Sequence, residues 1–344
     1  MASCASFPSP RSFPGPRKSI VLKIAAYVGG LVGLALLLTL FVRSDLPAML
    51  HALAWAGWSL LWLLPYRMLY FLLFALGWFI LLKPYDPRRH AGLAYVFWVT
   101  NVRDAIDRLL PVASVGGGVA AVRLLHWRKL AIAPVSATVI VEILLTLIVT
   151  YLLAVLGVLL LVSLTGGAAS QKRLVLVLLC SLPVPVLTAL LLRYGAVFAR
   201  LSALLRPLVG ASASSATAQK LDHEIRACLR RIGPLAVVGA LQFAALICGA
   251  FEVWFALRLF GHPIGVEAAV MLEALTQSMR HFAFVIPGGL GVQEAGFVLF
   301  GHALGIDSQL ALAVSMTKRL REVLIGLPTL ASWQALEGQR IRKD

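Results

Sequence analysis

Charge is what this sequence has least of. Only 13% of its 344 residues are Asp, Glu, Lys or Arg, roughly half the share of an ordinary soluble domain. Acids are scarcer still, 15 against 31 Lys and Arg, for a net charge of +16. Four cysteines, Cys4, Cys180, Cys228 and Cys248, form no CxxC pair and no metal-type spacing with histidine. That pattern excludes a disulfide framework and a structural zinc site. Cys4 follows only Met1, Ala2 and Ser3, so it does not read as the lipidated cysteine behind a signal segment. There is no HExxH, no GxSxG, no P-loop and no GxGxxG behind a strand. His281 and His302 flank Glu294, at spacings of 13 and 8 that match no metal motif. The longest polar stretch, about residues 194–232, is too short for a soluble catalytic domain. No catalytic residue, no metal and no cofactor are expected, and the chain is not read as an enzyme.

What fills the sequence instead is apolar. Hydrophobic residues make up 60%, and the mean hydropathy of +0.89 exceeds what a water-facing surface tolerates. The sequence reads as an all-α polytopic membrane protein. Its first run, residues 20–42, is 23 residues long, enough for a hydrocarbon core of about 30 Å. It follows a Pro/Ser/Arg-rich tail (1–19) without a small-residue cleavage site, so it reads as an uncleaved span. Further runs cover 55–82, about 130–164, 174–192, 233–260 and 308–333. Two more stretches are interrupted. Pro111 and Gly116 to Gly118 cut 91–125, and Pro287, Gly288, Gly289 and Gly291 cut 266–306. Each reads as a re-entrant hairpin whose broken backbone needs shelter by protein or a wet cavity.

Six spans and two hairpins divide the basic residues unevenly. Seven lie inside membrane segments, four (Arg43, Lys172, Arg173, Arg258) fall on one side, and the remaining twenty on the other. The positive-inside rule then puts both termini in the cytoplasm of a cell whose inner membrane holds the chain. The basic excess reflects topology and lipid contact, and no nucleic acid is expected as a partner. Residues 20–164 and 165–335 become two repeats of inverted topology, with an amphipathic cytoplasmic segment at 194–232 and a cytoplasmic tail at 336–344. Broken helices at corresponding positions of such repeats point to a transport site near the midplane.

The charges inside these segments are costly, roughly 2.5 to 3.5 kcal/mol each at a helix centre. They are Arg67, Arg103, Arg108, Arg280, Lys318, Arg319 and Arg321, with Asp104, Asp107, Glu142, Glu252, Glu273, Glu294 and Glu322. Spacing predicts i,i+4 pairs of Arg103 with Asp107, Asp104 with Arg108, and Lys318 with Glu322. These are either scaffolding or part of a polar path. Lys318, Arg319, Arg321 and Glu322 lie about 16 Å beyond Asp307, near the midplane, and Glu142 lies at matching depth in the first half. Glu142 is expected to face Lys318 or Arg319, as a permanent bridge or as a gate that leaves about one positive charge for a headgroup or water. Helices starting after Gly116 to Gly118 and after Gly291 offer free N–H groups to an anion, unless the glycines serve close packing. Gln293 and Glu294, directly behind the second break, are not packing residues in lipid.

The run PGGLGVQEAGFVLFGHALGI (287–306), followed by Lys318-Arg319-Leu320-Arg321-Glu322 and by Leu327-Pro328, resembles the membrane domain of the lysylphosphatidylglycerol synthase and flippase superfamily. The first half is similar to its counterpart there through Leu110-Pro111, Gly116-Gly117, Arg123 and Glu142. Arg280-His281-Phe282-Ala283-Phe284, the form VQEAGF and Ser332-Trp333-Gln334 look most like the branch associated with hopanoid biosynthesis. Where relatives usually carry an acid in the Gly-Gly stretch, this sequence has Gly118. The resemblance implies an inner-membrane lipid transporter or flippase. Its cargo would be a hopanoid or a related amphiphilic or anionic lipid, with the enzymes of lipid biosynthesis as further partners. Lysyl transfer is not implied, since the sequence holds no aminoacyl-transferase domain. Two alternatives stand beside it: a scaffold for lipid-synthesis enzymes, and a membrane-embedded accessory subunit or lipid-modifying enzyme of hopanoid or polyprenyl-linked glycan biosynthesis, with Glu294 or Glu142 as acid/base. The candidate lipid-binding or transport path comprises Arg103, Asp107, Arg123, Glu142, Arg280, Gly288, Gly289, Gly291, Gln293, Glu294, Lys318, Arg319, Arg321 and Glu322.

The topology gives the first prediction. Reporter fusions are expected to place both termini in the cytoplasm and Lys172 and Arg258 outside, and an external C-terminus overturns the orientation together with the inverted repeat.

Overall fold

The computed structural model describes residues 57–110, 116–165, 183–195, 215–283, 286 and 289–341, and every regular element among them is helical. The tail at 1–19, the expected span at 20–42, part of that at 174–192, and Gly288 lie outside the described residues. Behind a short 3-10 turn (Gly57–Trp62) come α1 (Leu63–Leu82), α2 (Leu93–Leu109), α3 (Gly116–Trp127) and α4 (Ile132–Thr165). Two shorter helices follow, α5 (Pro183–Tyr194) and α6 (Ser215–Leu229). The chain then runs through α7 (Ile232–Leu259), α8 (Val266–Phe282), α9 (Val292–His302) and α10 (Ser308–Ile341).

Among the described residues three stretches are helical, long and apolar enough to cross a membrane: Gly57–Tyr85, Ile132–Leu164 and Ile232–Leu259. α10 has the length, 34 residues, but carries a charged turn and Pro328 in its interior. α1 stops where Lys83 and Pro84 enter a second 3-10 turn. Proline cannot donate the next helical bond. Asp86 then accepts the backbone N–H groups of His90 and Ala91 at 2.9 and 2.7 Å, turning the chain into α2.

The three helices after α1 and the three after α7 match in length. α2 and α8 have 17 residues each, α3 has 12 and α9 has 11, and α4 and α10 have 34 each. Extended glycines, Gly92 and Gly265, precede both α2 and α8. α3 and α9 end alike, in a left-handed residue, Lys129 (φ 63) or Gly305 (φ 73). The next N–H returns five residues: Leu130 to the Leu125 carbonyl at 3.4 Å, Ile306 to that of Gly301 at 2.9 Å. This cap meets carbonyls the helix would otherwise leave unpaired. Packing is matched as well. α1 runs along α7, α2 packs on α3 and on α10, and α8 packs on α9 and on α4. The long helix α10 therefore lies against α2, and the long helix α4 against α8.

One apolar cluster joins Trp78, Val99, Leu124 and Val135 of the first half to Ile225 and Cys228 of α6; a second joins Leu63, Leu257, Leu272, Phe297 and Leu312. α6 does not lie free as a surface element: Asp222, Ile225 and Cys228 are buried and the helix packs on α4 and α5. Outward, Leu152 and Leu159 of α4, Phe251 of α7 and Leu320, Leu324 and Leu327 of α10 are exposed, the apolar exterior that lipid, not water, accepts.

Both interrupted stretches are helix, break and helix, as expected from Pro111 and Pro287. One detail differs. Gly116 to Gly118 form the first turn of α3 instead of a loop before it. The cause is Asp107, whose Oδ1 accepts the Gly117 N–H at 2.9 Å and so caps the second arm from the first. The arms touch here, and a Cβ on Gly117 would lie 2.5 Å from the Arg103 carbonyl oxygen and from Asp107 Oδ2. Gly117→Ala is expected to cost about 1–3 kcal/mol through forced separation of the arms. Gly118→Ala, whose added carbon meets only Val139 at 3.5 Å, should stay within about 1 kcal/mol of the parent. Thermal unfolding in detergent measures both, and equal effects would show that the arms are not in contact.

Candidate functional site

A single turn of α10 organises the interior. Residues 318, 319, 321 and 322 are spread around the helix at about 100° per residue, so each reaches a different neighbour. Lys318 Nζ meets Glu273 of α8 at 2.5 Å, Arg319 Nε meets Glu294 of α9 at 3.0 Å, and Arg321 pairs with Glu252 of α7. Glu322 turns toward α2 and α8, where it accepts Arg108 and, at 3.2 Å, Arg280. Elsewhere Arg103 of α2 pairs with Glu142 of α4. All seven interior cations have a carboxylate partner.

The pairs fall into two kinds. Lys318–Glu273, Arg321–Glu252 and Arg103–Glu142 are one-to-one. The rest form one connected set. Arg67 of α1 donates to Asp104 at 3.3 Å, Asp104 accepts Arg108 at 2.7 Å, and Arg108 continues to Glu322. Glu322 also takes Arg319, at 3.2 Å, and Arg319 bridges on to Glu294. A second route runs from Arg280 to Gln293 at 2.8 Å, from the Gln293 amide to Ser315 at 3.0 Å, and from the Ser315 hydroxyl to Glu294 at 3.3 Å. Four guanidinium groups (Arg67, Arg108, Arg280, Arg319) here face three carboxylates (Asp104, Glu322, Glu294). Taken by itself the set carries one surplus positive charge; over the whole list of interior charges Asp107, which accepts the Gly117 N–H, is the acid that balances it.

Its surroundings are partly open. The Arg67 guanidinium stacks 3.9 Å from the Tyr70 ring centroid and 4.4 Å from that of Phe71, which eases its burial. Between α1, α2 and α10, Arg67, Asn101, Asp104, Arg108 and Glu322 line a cavity of about 10 Å³, room for roughly one water. The break before α9 is tied into the same set. Arg319 donates to the Gly289 carbonyl at 2.9 Å, Gly289 and Gly291 have φ of 60° and 75°, and a Cβ on Gly289 would lie 2.8 Å from Arg280 Cγ. Any side chain there strains the turn and displaces Arg280.

Several expected partnerships are replaced. Lys318 pairs with Glu273, not Glu322, because Glu322 is filled by three arginines. Asp104 and Arg108 do pair at i,i+4. Arg103, however, reaches Glu142 while Asp107 accepts a backbone N–H. Glu142 faces neither Lys318 nor Arg319; each of these has an acid of its own half at hand. The excess charge expected on the turn of α10 is thus cancelled there by Glu252, Glu273 and Glu294, and the surplus sits in the arginine set. Arg123 stands apart, 61% exposed and paired with Glu337 near the end of α10. Gly288 lies outside the described residues. Arg280, Gln293, Glu294, Arg319 and Glu322 are brought together beside Gly289. Arg67, Asp104, Arg108, Glu252, Glu273 and Ser315 belong with the interior network but were not among the candidates. The signal for Glu252 and Glu273 was charge arithmetic, since three cations on one membrane turn require nearby acids. Among the described residues no group of three or more His, Cys, Asp and Glu side chains is placed to hold a metal ion.

The family model for the lysylphosphatidylglycerol synthase transmembrane region matches residues 21–328 of the chain. No curated protein and no solved structure matches it.

The ion pairs can be told apart by coupling. Glu252→Gln is expected to cost about 3–5 kcal/mol by leaving Arg321 buried and uncompensated, with most of the loss recovered in the double variant with Arg321→Gln. Glu142→Gln and Arg319→Gln should be additive within about 0.5 kcal/mol, since they share no partner. Chemical unfolding in detergent measures both cycles, and coupling between Glu142 and Arg319 would contradict the pairing described.

Proposed function

The chain belongs to the family of lysylphosphatidylglycerol synthase transmembrane regions, and on that premise we propose that it moves an amphiphilic lipid between the leaflets of the inner membrane without modifying it chemically. The observation that carries this reading is the connected set of four arginines and three carboxylates at the meeting of the two halves. A net cation in a low-dielectric interior calls for an anion or water. A phosphate-type headgroup, bound by forked guanidinium donors while its tail stays in lipid, meets that demand. The family itself supports a lipid-related role, and the likeness of the VQEAGF region to the hopanoid-associated branch favours a hopanoid or hopanoid-linked lipid as cargo.

The proposal includes the architecture. Six spans and two re-entrant hairpins form inverted repeats with both termini cytoplasmic. The equal lengths of α2 and α8 and of α4 and α10, the shared caps and the exchanged packing support two copies of one unit. So does Glu142, eleventh residue of α4, which occupies the place of Lys318, eleventh of α10. Each ties its long helix to the first hairpin arm of its own half, with acid and base reversed.

Transport is measured with the purified chain in liposomes, following loss of a headgroup-labelled lipid to an impermeant quencher. Wild-type protein should accelerate crossing over protein-free vesicles. Arg280→Gln should slow it about tenfold or more, the loss of one charge-assisted contact, and Arg123→Gln should leave it unchanged. A wild-type rate equal to that of empty vesicles overturns the reading, and mass analysis of retained lipid identifies the cargo class.

A further inference from the structure

The turn that joins α1 to α2 carries charge that the interior network does not touch. Between Lys83 and Ala91 the sequence has three Lys or Arg residues, Lys83, Arg88 and Arg89, and one acid, Asp86. That acid is committed to the backbone. Asp86 is buried, and its two oxygens accept the N–H groups of His90 at 2.9 Å and Ala91 at 2.7 Å, while its carbonyl takes the Arg89 N–H at 3.1 Å. These bonds fix the turn and hold Arg89 at a φ of 51°, a left-handed conformation uncommon for any residue but glycine. The side chains of Lys83 and Arg89 are exposed, and neither has an ion pair or hydrogen bond to a described residue. Other basic residues at this end are engaged. The Arg231 guanidinium lies 5.5 Å from the Tyr85 ring centroid, that of Arg128 4.4 Å from the Tyr95 ring centroid, and Arg123 pairs with Glu337.

Lys83 and Arg89 line one cavity of about 360 Å³, together with Phe79, Ile80, Leu82 and the spent Asp86. That volume falls within the roughly 300–1,000 Å³ of small-ligand sites. Phe79 and Ile80 precede Lys83 by four and three residues, which puts them on the same side of α1, one turn back along the helix. The wall is therefore apolar along α1 and cationic at its end. A phospholipid presents its chains and its phosphate in that order. A soluble phosphate would leave Phe79 and Ile80 uncovered, and a zwitterionic headgroup would bring a cation of its own toward two cations that have no acid.

We propose that this cavity binds an anionic phospholipid, with the phosphate between Lys83 and Arg89 and the upper part of one chain against Phe79 and Ile80. The site stands apart from the arginine set and does not rest on the transport reading; the proposed topology puts its lipid in the cytoplasmic leaflet. The Lys83 ammonium and the forked Arg89 guanidinium supply charge-assisted donors to the phosphate oxygens, at the level where basic side chains meet anionic headgroups. A lipid held there fastens the end of α1 to the leaflet surface, and α1 is the helix that presents Arg67 to Asp104.

The test uses the full chain in phosphatidylcholine nanodiscs doped with phosphatidylglycerol that carries a photoreactive diazirine near the glycerol end of one chain. After irradiation, peptide mapping should find the label on Phe79 or Ile80. Unlabelled phosphatidylglycerol should compete for it, and glycerol 3-phosphate should not. Arg89→Gly removes the guanidinium but keeps the turn, since glycine takes a φ of 51° without strain. This variant should melt no lower than wild type and lose about fivefold in labelling, the equivalent of one surface charge contact, and Arg89→Lys should keep most of it. Lys83→Gln should lose a similar factor, and it gives a reading even where Arg89→Gly fails to fold. Arg88→Gln, exposed but off the cavity, should label normally. So should Arg280→Gln, which separates a failure of this site from a failure of the transport reading. Equal labelling in wild type, Arg89→Gly and Lys83→Gln overturns the site. An equal loss in Arg88→Gln assigns the binding to diffuse charge and overturns it as well, and competition by glycerol 3-phosphate assigns the cavity to a soluble phosphoester in place of a lipid.

Discussion

Charge inside a low-dielectric bundle must be paired, and the rest of this structure is arranged around that requirement. Lys318, Arg319, Arg321 and Glu322 sit on one turn of α10, and none of them has a sufficient partner on its own helix. The turn holds together only if α2, α7, α8 and α9 each present a group at its level, and all four do. Apolar contact sets the distance between these helices. The ion pairs set their register, because sliding any of them by one turn would leave a cation buried without its acid. Such pairs add little net stability over a well-packed apolar interior, but they strongly disfavour the wrong alignment.

Much of this was legible in the sequence. Apolar runs and Pro/Gly interruptions located the described helices, since the membrane permits few alternatives to a backbone bonded within each segment, although α10 runs to Ile341, beyond its expected end at 333, and α1 begins at Leu63, after a 3-10 turn. α4 and α7 begin within two residues of their expected starts, and both interrupted stretches are two helices. The fourteen interior charges named from the sequence include every member of the paired network, while Asp86 and Asp222, also buried, were not among them. What periodicity could not supply was the pairing. Spacing favours i,i+4 partners, and it found Asp104 with Arg108. It failed for Arg103 and Lys318 because carboxylates on α4 and α8 compete with those on the same helix, and only the fold tells how near they lie. The capping of α3 by Asp107 was hidden for the same reason: it joins residues ten apart across a break.

The two kinds of ion pair divide the labour of the interior. Lys318–Glu273 ties α10 to α8, and Arg103–Glu142 ties α4 to α2. Arg321–Glu252 ties α10 to α7. One-to-one pairs of this type have a single low-energy arrangement, so they hold the helices in place. The arginine set differs, because Glu322 serves three guanidinium groups with two oxygens and each of those groups has a second acceptor: Asp104 for Arg108, Gln293 for Arg280, Glu294 for Arg319. Losing Glu322 leaves Arg108 and Arg319 with one carboxylate each, Asp104 and Glu294, and Arg280 with the neutral Gln293 amide.

That redundancy is what a transport site of the proposed kind requires. A headgroup entering a network of exclusive pairs would have to break one outright and leave a buried charge uncompensated, at a cost of several kcal/mol. In the proposed exchange an anionic oxygen would take the place of Glu322 toward Arg280, supplying the counter-charge that the neutral Gln293 amide does not, or toward Arg319, which keeps Glu294. Arg319 and Arg280 also adjoin the break before α9, Arg319 through the Gly289 carbonyl and Arg280 through its packing on Gly289. The proposed exchange at Glu322 would thereby reach the left-handed Gly289 and Gly291 in front of α9. Lys318–Glu273 and Arg321–Glu252 hold α7, α8 and α10 together, while α9 is polar-bonded to α10 through Glu294 and Gln293, both members of the shared network.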